Sequence, residues 1–146
     1  MWVVEDLRQD EEIIQEIGRM DDRPAAIIAS CYLERSLERA LRGRLLADKK
    51  IADAFLKGMG PLSSFSSRID LAYLLGLIST KEAYGCFHAI RRARNCFAHE
   101  LTPTRFSSAA VVKASKGLLN VAAIASSIKT ILPQLTGVHA SAVTCH

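Results

Sequence analysis

No stretch of this 146-residue chain reaches the ~18 consecutive apolar residues that a membrane-spanning helix needs; LAYLLGLI, residues 71 to 78, is the longest candidate. No membrane partner is expected. Cysteine is scarce, and Cys31, Cys86, Cys96 and Cys145 form no CxxC pair. Reduced thiols in a bacterial-type cytoplasm are the simplest reading. The opening MWVVEDLRQDEE turns acidic at once, unlike a signal peptide, so a cytoplasmic location is expected. Val, Ile and Thr never alternate with polar residues over a useful length, which argues against strands. There is no repeat of 20 to 50 residues and no linker. Nor is there a strong excess of one charge. A net charge of +4 and a pI near 9.0 tolerate a polyanion without demanding one.

What is present is a core's worth of apolar residues. They make up 49% of the chain, against 23% charged, which excludes a disordered polymer. The length suits one domain with a real core and is too short for two ordinary ones.

Helical periodicity accounts for nearly the whole chain. Residues 4 to 19 read as an acidic helix with Leu7, Ile13, Ile14 and Ile17 as apolar points. Asp21 or Asp22 can cap the next helix, with Pro24 in its first turn. That helix runs to about Leu46, with apolar positions Ile27, Ala29, Leu33, Leu37, Ala40, Leu41 and Leu45 at three- and four-residue steps. Its outer face carries Glu38 and Arg42, four apart in the favourable order. Asp48 can cap KKIADAFLKG, and Gly58, Gly60 and Pro61 then break the chain. Ser63 or Ser64 can cap LSSFSSRIDLAYLLGLIS, whose end Gly76 loosens. Ser79 with Glu82 reads as a capping box for TKEAYGCFHAIRRARNCFAHE, which Pro103 ends. A last helix is expected over about 107 to 132, stopped by Pro133, with 133–146 as a flexible tail. The expectation is an all-α, single-domain bundle of five to six helices spanning residues 1–132.

Chemistry concentrates in RRARNCFAHE, residues 91 to 100. Arg91, Asn95 and His99 stand four apart and share one helical stripe. Arg94 lies five before His99, about 140° round the helix. The two would meet one phosphate only at a helix end or across two copies of the chain. A histidine can move a proton near neutral pH, and an arginine can hold developing phosphate charge bidentately. Asn95 could orient the ring or the phosphate. Arg94, His99 and Asn95 are therefore the candidate catalytic set for metal-independent RNA cleavage. The ordinary alternative stands beside it: arginines near a helix C-terminus complement the dipole, and Asn95 and His99 bond to a neighbouring loop.

Arg91, Arg92, Arg68 and Asp70 are candidate binding residues. Arg68 and Asp70 are too close in sequence to pair across one turn, so each is expected to reach another helix, Asp70 toward the 91–94 arginines. Cys86, His88, Cys96 and His99 make a poor zinc set, because a spacing of two sends Cys86 and His88 to different faces. Ser63, Ser64, Ser66 and Ser67 lack a GxSxG elbow. No metal and no cofactor are expected. A helix-turn-helix reader is poorly supported: the helix after Gly76–Thr80 begins KEAYGCFHA, and its arginines come too late.

DRPAAIIASCYLERSLERALRGRLL, GPLSSFSSRIDLAYLLGLIS and HAIRRARNCFAHEL together resemble the mannitol operon repressor (MtlR) family over roughly residues 22 to 101. Beyond residue 105 the chain turns Ala/Ser-rich and departs from that pattern. The resemblance implies an all-helical, bacterial, cytoplasmic transcriptional regulator that self-associates as a homodimer. It would act through a regulatory protein partner or as a co-repressor, without a familiar DNA-reading motif. RNCFAH also resembles the R-x4-H signature of the HEPN superfamily, helical domains that include metal-independent ribonucleases. That likeness implies a functional pair of Arg94 and His99, with Asn95 beside the arginine, and leaves nucleic acid as a second partner class.

Overall fold

The computed structural model describes residues 2–45, 47–102, 104–115 and 120–142. Seven helices and no strand occur among the described residues, in the order α1 (Trp2–Arg19), α2 (Asp22–Arg44), α3 (Lys49–Leu56), α4 (Phe65–Leu74), α5 (Lys81–His99), α6 (Ala109–Ser115) and α7 (Val121–Ala142). None of these helices is long and apolar enough to cross a membrane. Expectations that fall on the side chain of Leu7, on Leu46, Pro103 and Leu119, and on residues 143–146 lie outside the described residues.

Helix α2 is the hub, packing against α1, α4, α5 and α7. Its apolar positions explain this. Leu33, Leu37 and Leu41 are fully buried, and small Ala25, Ala26 and Ala29 let neighbouring helices approach closely. Opposite them lie Phe87, Ile90, Ala93 and Phe97 of α5, and Ile124, Ile128, Ile131 and Leu135 of α7. Ile17 closes the core from α1.

The first turn of α2 serves the tertiary structure more than its own end. Asp21 is the N-cap, yet its side chain makes no capping bond. Asp22 instead accepts from the Phe106 amide at 3.0 Å. Arg23 donates to the carbonyls of Glu100 (2.9 Å) and Thr102 (2.8 Å). The chain leaving α5 is therefore stitched to the start of α2, and Phe106 packs edge-on against Phe97.

Between α3 and α4 the chain folds into a tight elbow. Asp48 caps α3, accepting from Ile51 N at 3.1 Å, and Ser64 caps α4, accepting from Ser67 N at 3.1 Å. Gly58 adopts φ +60°, and Leu62 N donates back to Phe55 O at 2.8 Å. A Cβ on Gly60 would lie 2.2 Å from the Ala54 carbonyl oxygen, so only glycine fits there. Arg68, 7% exposed, reaches back from α4 into the elbow. Its Nε donates to Leu62 O (2.8 Å), one terminal nitrogen donates to Leu56 O (2.5 Å), and the other lies 3.5 Å from Glu34 and 3.6 Å from Glu38 on α2. Arg42 of α2 completes the clamp, binding Asp53 of α3 at 2.6 Å and Glu38 at 3.1 Å.

Four boundaries differ from those expected. Helix α4 stops at Leu74 because Gly76, at φ +77°, donates to Tyr73 O while Leu77 N donates to Ala72 O. This paired closure sends Leu77 and Ile78 into the core. Thr80, not Ser79, caps α5, accepting from Ala83 N at 3.1 Å, so Glu82 falls one position short of closing a capping box. The expected last helix is two, because the Asn120 side chain accepts from Ala123 N at 2.8 Å and starts α7 afresh. Pro133 lies inside α7 and does not stop it. A proline removes one helical hydrogen bond, and the burial of Ile131, Leu132 and Leu135 around it outweighs that loss.

Two substitutions test the elbow. Gly60→Ala should lower the unfolding free energy by about 2 kcal/mol, because backbone atoms must shift. Arg68→Met, which leaves the Leu56 and Leu62 carbonyls and Glu34 without their partner while Glu38 keeps Arg42, should cost about 3 kcal/mol. Urea denaturation measures both, and unchanged midpoints would contradict this account.

Candidate functional site

Nineteen residues of α5 present three faces to three surroundings. The core-facing stripe is Phe87, Ile90, Arg94 and Phe97, at steps of three, four and three. The three apolar members are buried, and an arginine stands among them. Arg94 is half-buried, and its Nε is sealed from solvent with no hydrogen-bond partner. No carboxylate among the described residues pairs with it. An arginine on an apolar stripe has its stem covered and its head directed toward the rim.

The second face is Tyr84, His88, Arg91 and Asn95. Here Asp70 of α4 meets α5. Asp70 Oδ1 accepts from the Tyr84 hydroxyl at 2.8 Å and lies 3.0 Å from His88 Nε2. On the other side of the ring, Arg91 Nε donates to His88 Nδ1 at 3.2 Å. An arginine can only donate, so Nδ1 is the accepting nitrogen. The geometry assigns a neutral imidazole with its proton on Nε2, donated to Asp70. Tyr84 stacks edge-on to His88 and tilted on Tyr73, each with centroids 4.7 Å apart, and Lys81 Nζ sits 4.8 Å from the Tyr84 ring centre.

The third face turns to α6. Arg92 Nε donates to Ala114 O at 2.8 Å, filling a carbonyl at the end of that helix. Cys96 Sγ lies 3.8 Å from Ala110 O.

Charge on this helix is unevenly matched. Burial, then repulsion from Arg92 and Arg94, lowers the pKa of the Arg91 guanidinium, and Asp70 and Tyr84 act in the opposite direction. The hydrogen bond from Tyr84 holds the Asp70 carboxyl below the usual carboxylate range; His88 and Arg91 add to this, and burial opposes it. The same bond raises the Tyr84 phenol. Three arginines thus crowd the C-terminal half of α5 with one half-exposed carboxylate in reach, and that carboxylate engages Arg91 through His88.

The sites read from sequence separate accordingly. Asp70 bonds to Tyr84 and His88 and to no arginine of the 91–94 cluster among the described residues; Arg91 meets the same imidazole at its other nitrogen. Arg68 is removed from the binding face, because its guanidinium is buried in the α3–α4 elbow, out of reach of a ligand. Arg92 holds α6. His99 is the last residue of α5, exposed, and bonded to none of the described residues. The helix stays regular through position 99, so one chain keeps His99 about 140° round from Arg94. Asn95 is half-buried on the Arg91 face. Among the described residues no three His, Cys, Asp or Glu side chains converge, so Cys86, His88, Cys96 and His99 do not form a cluster. Sequence reasoning missed His88 and Tyr84 as site residues. Their signal was the same four- and three-residue spacing that joins Arg91 to Asn95, extended one and two turns toward the N-terminus.

The Asp70 network sets a pH dependence. Its folded-state pKa is lowered, so its stabilisation is fully present above the unfolded carboxylate value of about 4 and is lost as pH falls through the folded value. The stability gap between the wild type and Asp70→Asn should be small, since Asp70 is half-exposed, and should narrow as pH drops from about 6 to about 3. Thermal melts across that range measure it, and a gap that widens in acid contradicts the assignment. Compared with protein-family models, curated proteins and solved structures, the chain matches none of the three.

Proposed function

We propose that this chain is a transcriptional regulator of the kind its likeness to the mannitol operon repressor family implies, acting through a macromolecular partner and not by reading DNA itself. The carrying observation is Arg94: a half-buried guanidinium with a sealed, unpartnered Nε, beside Arg91 and with no carboxylate partner among the described residues. Leaving such a group unsatisfied costs about 1–3 kcal/mol, and the charge of the half-buried guanidinium as a whole is what an incoming acidic or phosphate group would meet. Exposed His99 and half-buried Asn95 flank it on the same helix end. The arginines stand in the second half of α5, whereas a DNA-reading helix contacts bases from its N-terminal part.

A direct test incubates the purified protein with operator DNA and with total RNA in the presence of chelator. The expected result is intact RNA and no sequence-specific shift by the protein alone. An operator effect should appear only with a partner and weaken at least tenfold in Arg94→Ala. Tight sequence-specific binding to naked operator would overturn this reading.

A second reading has its own observation: neither Arg94 nor His99 has a carboxylate partner among the described residues, so both are free to engage a phosphate. A HEPN-type endoribonuclease would use His99 to move the 2′-hydroxyl proton and Arg94 to hold the developing charge. Their divergence along one helix requires a second copy to bring one chain's Arg94 to the other's His99. Cleavage leaving 2′,3′-cyclic phosphate ends, lost in His99→Ala, would establish this reading in place of the first.

A further inference from the structure

Helix α3 turns an apolar stripe outward. Ile51, Ala54 and Phe55 follow at helical spacing on α3 and are exposed while Leu56 is buried, and Met59 is exposed in the turn after the helix. Ile51 is 58% exposed, Phe55 47% and Met59 101%. The backbone beneath them is held by Leu62 N to Phe55 O, by the close approach of Gly60 and by Arg68 on Leu56 O and Leu62 O. A backbone so fixed needs no reordering when the side chains on it are covered.

The flanks of the stripe identify what covers it. Lys49, Lys50 and Lys57 are exposed around it. The two nearby carboxylates are engaged: Asp48 caps Ile51 N, and Asp53 binds Arg42 and lies 3.6 Å from Lys57. Two copies of the chain joined through this stripe would set lysines against lysines, which disfavours a self-contact. The complementary surface is apolar at its centre and acidic at its edges. We propose that the outward face of α3 and the turn after it dock an acidic amphipathic helix of another protein. Ile51, Phe55 and Met59 enter its apolar seam, and Lys49, Lys50 and Lys57 meet its carboxylates. This surface is separate from the Arg94 end of α5, so the proposal stands or falls independently of the reading above.

The test uses fluorescence anisotropy with two labelled helical peptides that share a leucine face. One is flanked by glutamates and the other by lysines. The wild type should bind the acidic peptide at least tenfold more tightly than the basic one. Phe55→Ala should weaken that binding at least tenfold with an unchanged melting temperature, and Lys50→Glu with Lys57→Glu should reverse the preference. Equal affinity for both peptides, or no binding to either at hundreds of micromolar, overturns the proposal. So does Phe55-dependent self-association in sedimentation, which would make the occupant a second copy. Phe55-dependent binding to vesicles containing phosphatidylserine without peptide discrimination overturns it too, by making the occupant a membrane surface.

Discussion

The buried guanidinium of Arg68 sets the geometry on which the rest of the molecule depends. It is the point where the elbow, α4 and α2 are fastened together, through two carbonyls on one side and two glutamates on the other. A charge at this depth is tolerated because its donors are met by acceptors, and the opposite charges stand within 4 Å. Its consequence runs along α4. With Arg68 turned inward, Asp70 two positions on is turned toward the opposite side, where α5 presents Tyr84 and His88. The register of the α4–α5 network is therefore inherited from a contact on the other side of α4.

That inheritance explains the division of labour on α5. Arg91 is tied through an imidazole, Arg92 through a carbonyl of α6, and the Arg94 Nε by none of the described residues. Three arginines within four positions thus have three different fates, decided by which neighbour each direction meets. Arg94 differs because it occupies a core position, between Ile90 and Phe97, where its aliphatic stem substitutes for an apolar side chain while its head has no counter-charge among the described residues.

Much of the fold could be read from spacing. The apolar steps of α2, the Asp48 cap and the break at Gly58–Pro61 lie where elementary rules place them. The misplaced boundaries have identifiable physical causes. Whether Ser79 or Thr80 caps α5 depends on which residue is extended, and both carry a hydroxyl. Pro133 is a helix stop by local rules, and burial on both sides of it overrides them. Within the candidate site, the stripe of Arg91, Asn95 and His99 was legible, because helical spacing determines it. The inward turn of Arg68 and the intermediary role of His88 were not, because each depends on the angle at which α4 crosses its neighbours.

The stitch between α2 and the segment after α5 has a consequence for how the molecule assembles. Arg23 and Asp22 reach partners 77 to 84 residues further along the chain. Closing so long a loop costs more chain entropy than the nearer helix pairings do. During synthesis the N-terminal turn of α2 cannot make these bonds until residue 106 has left the ribosome, so its contacts are completed by the distal half of the chain.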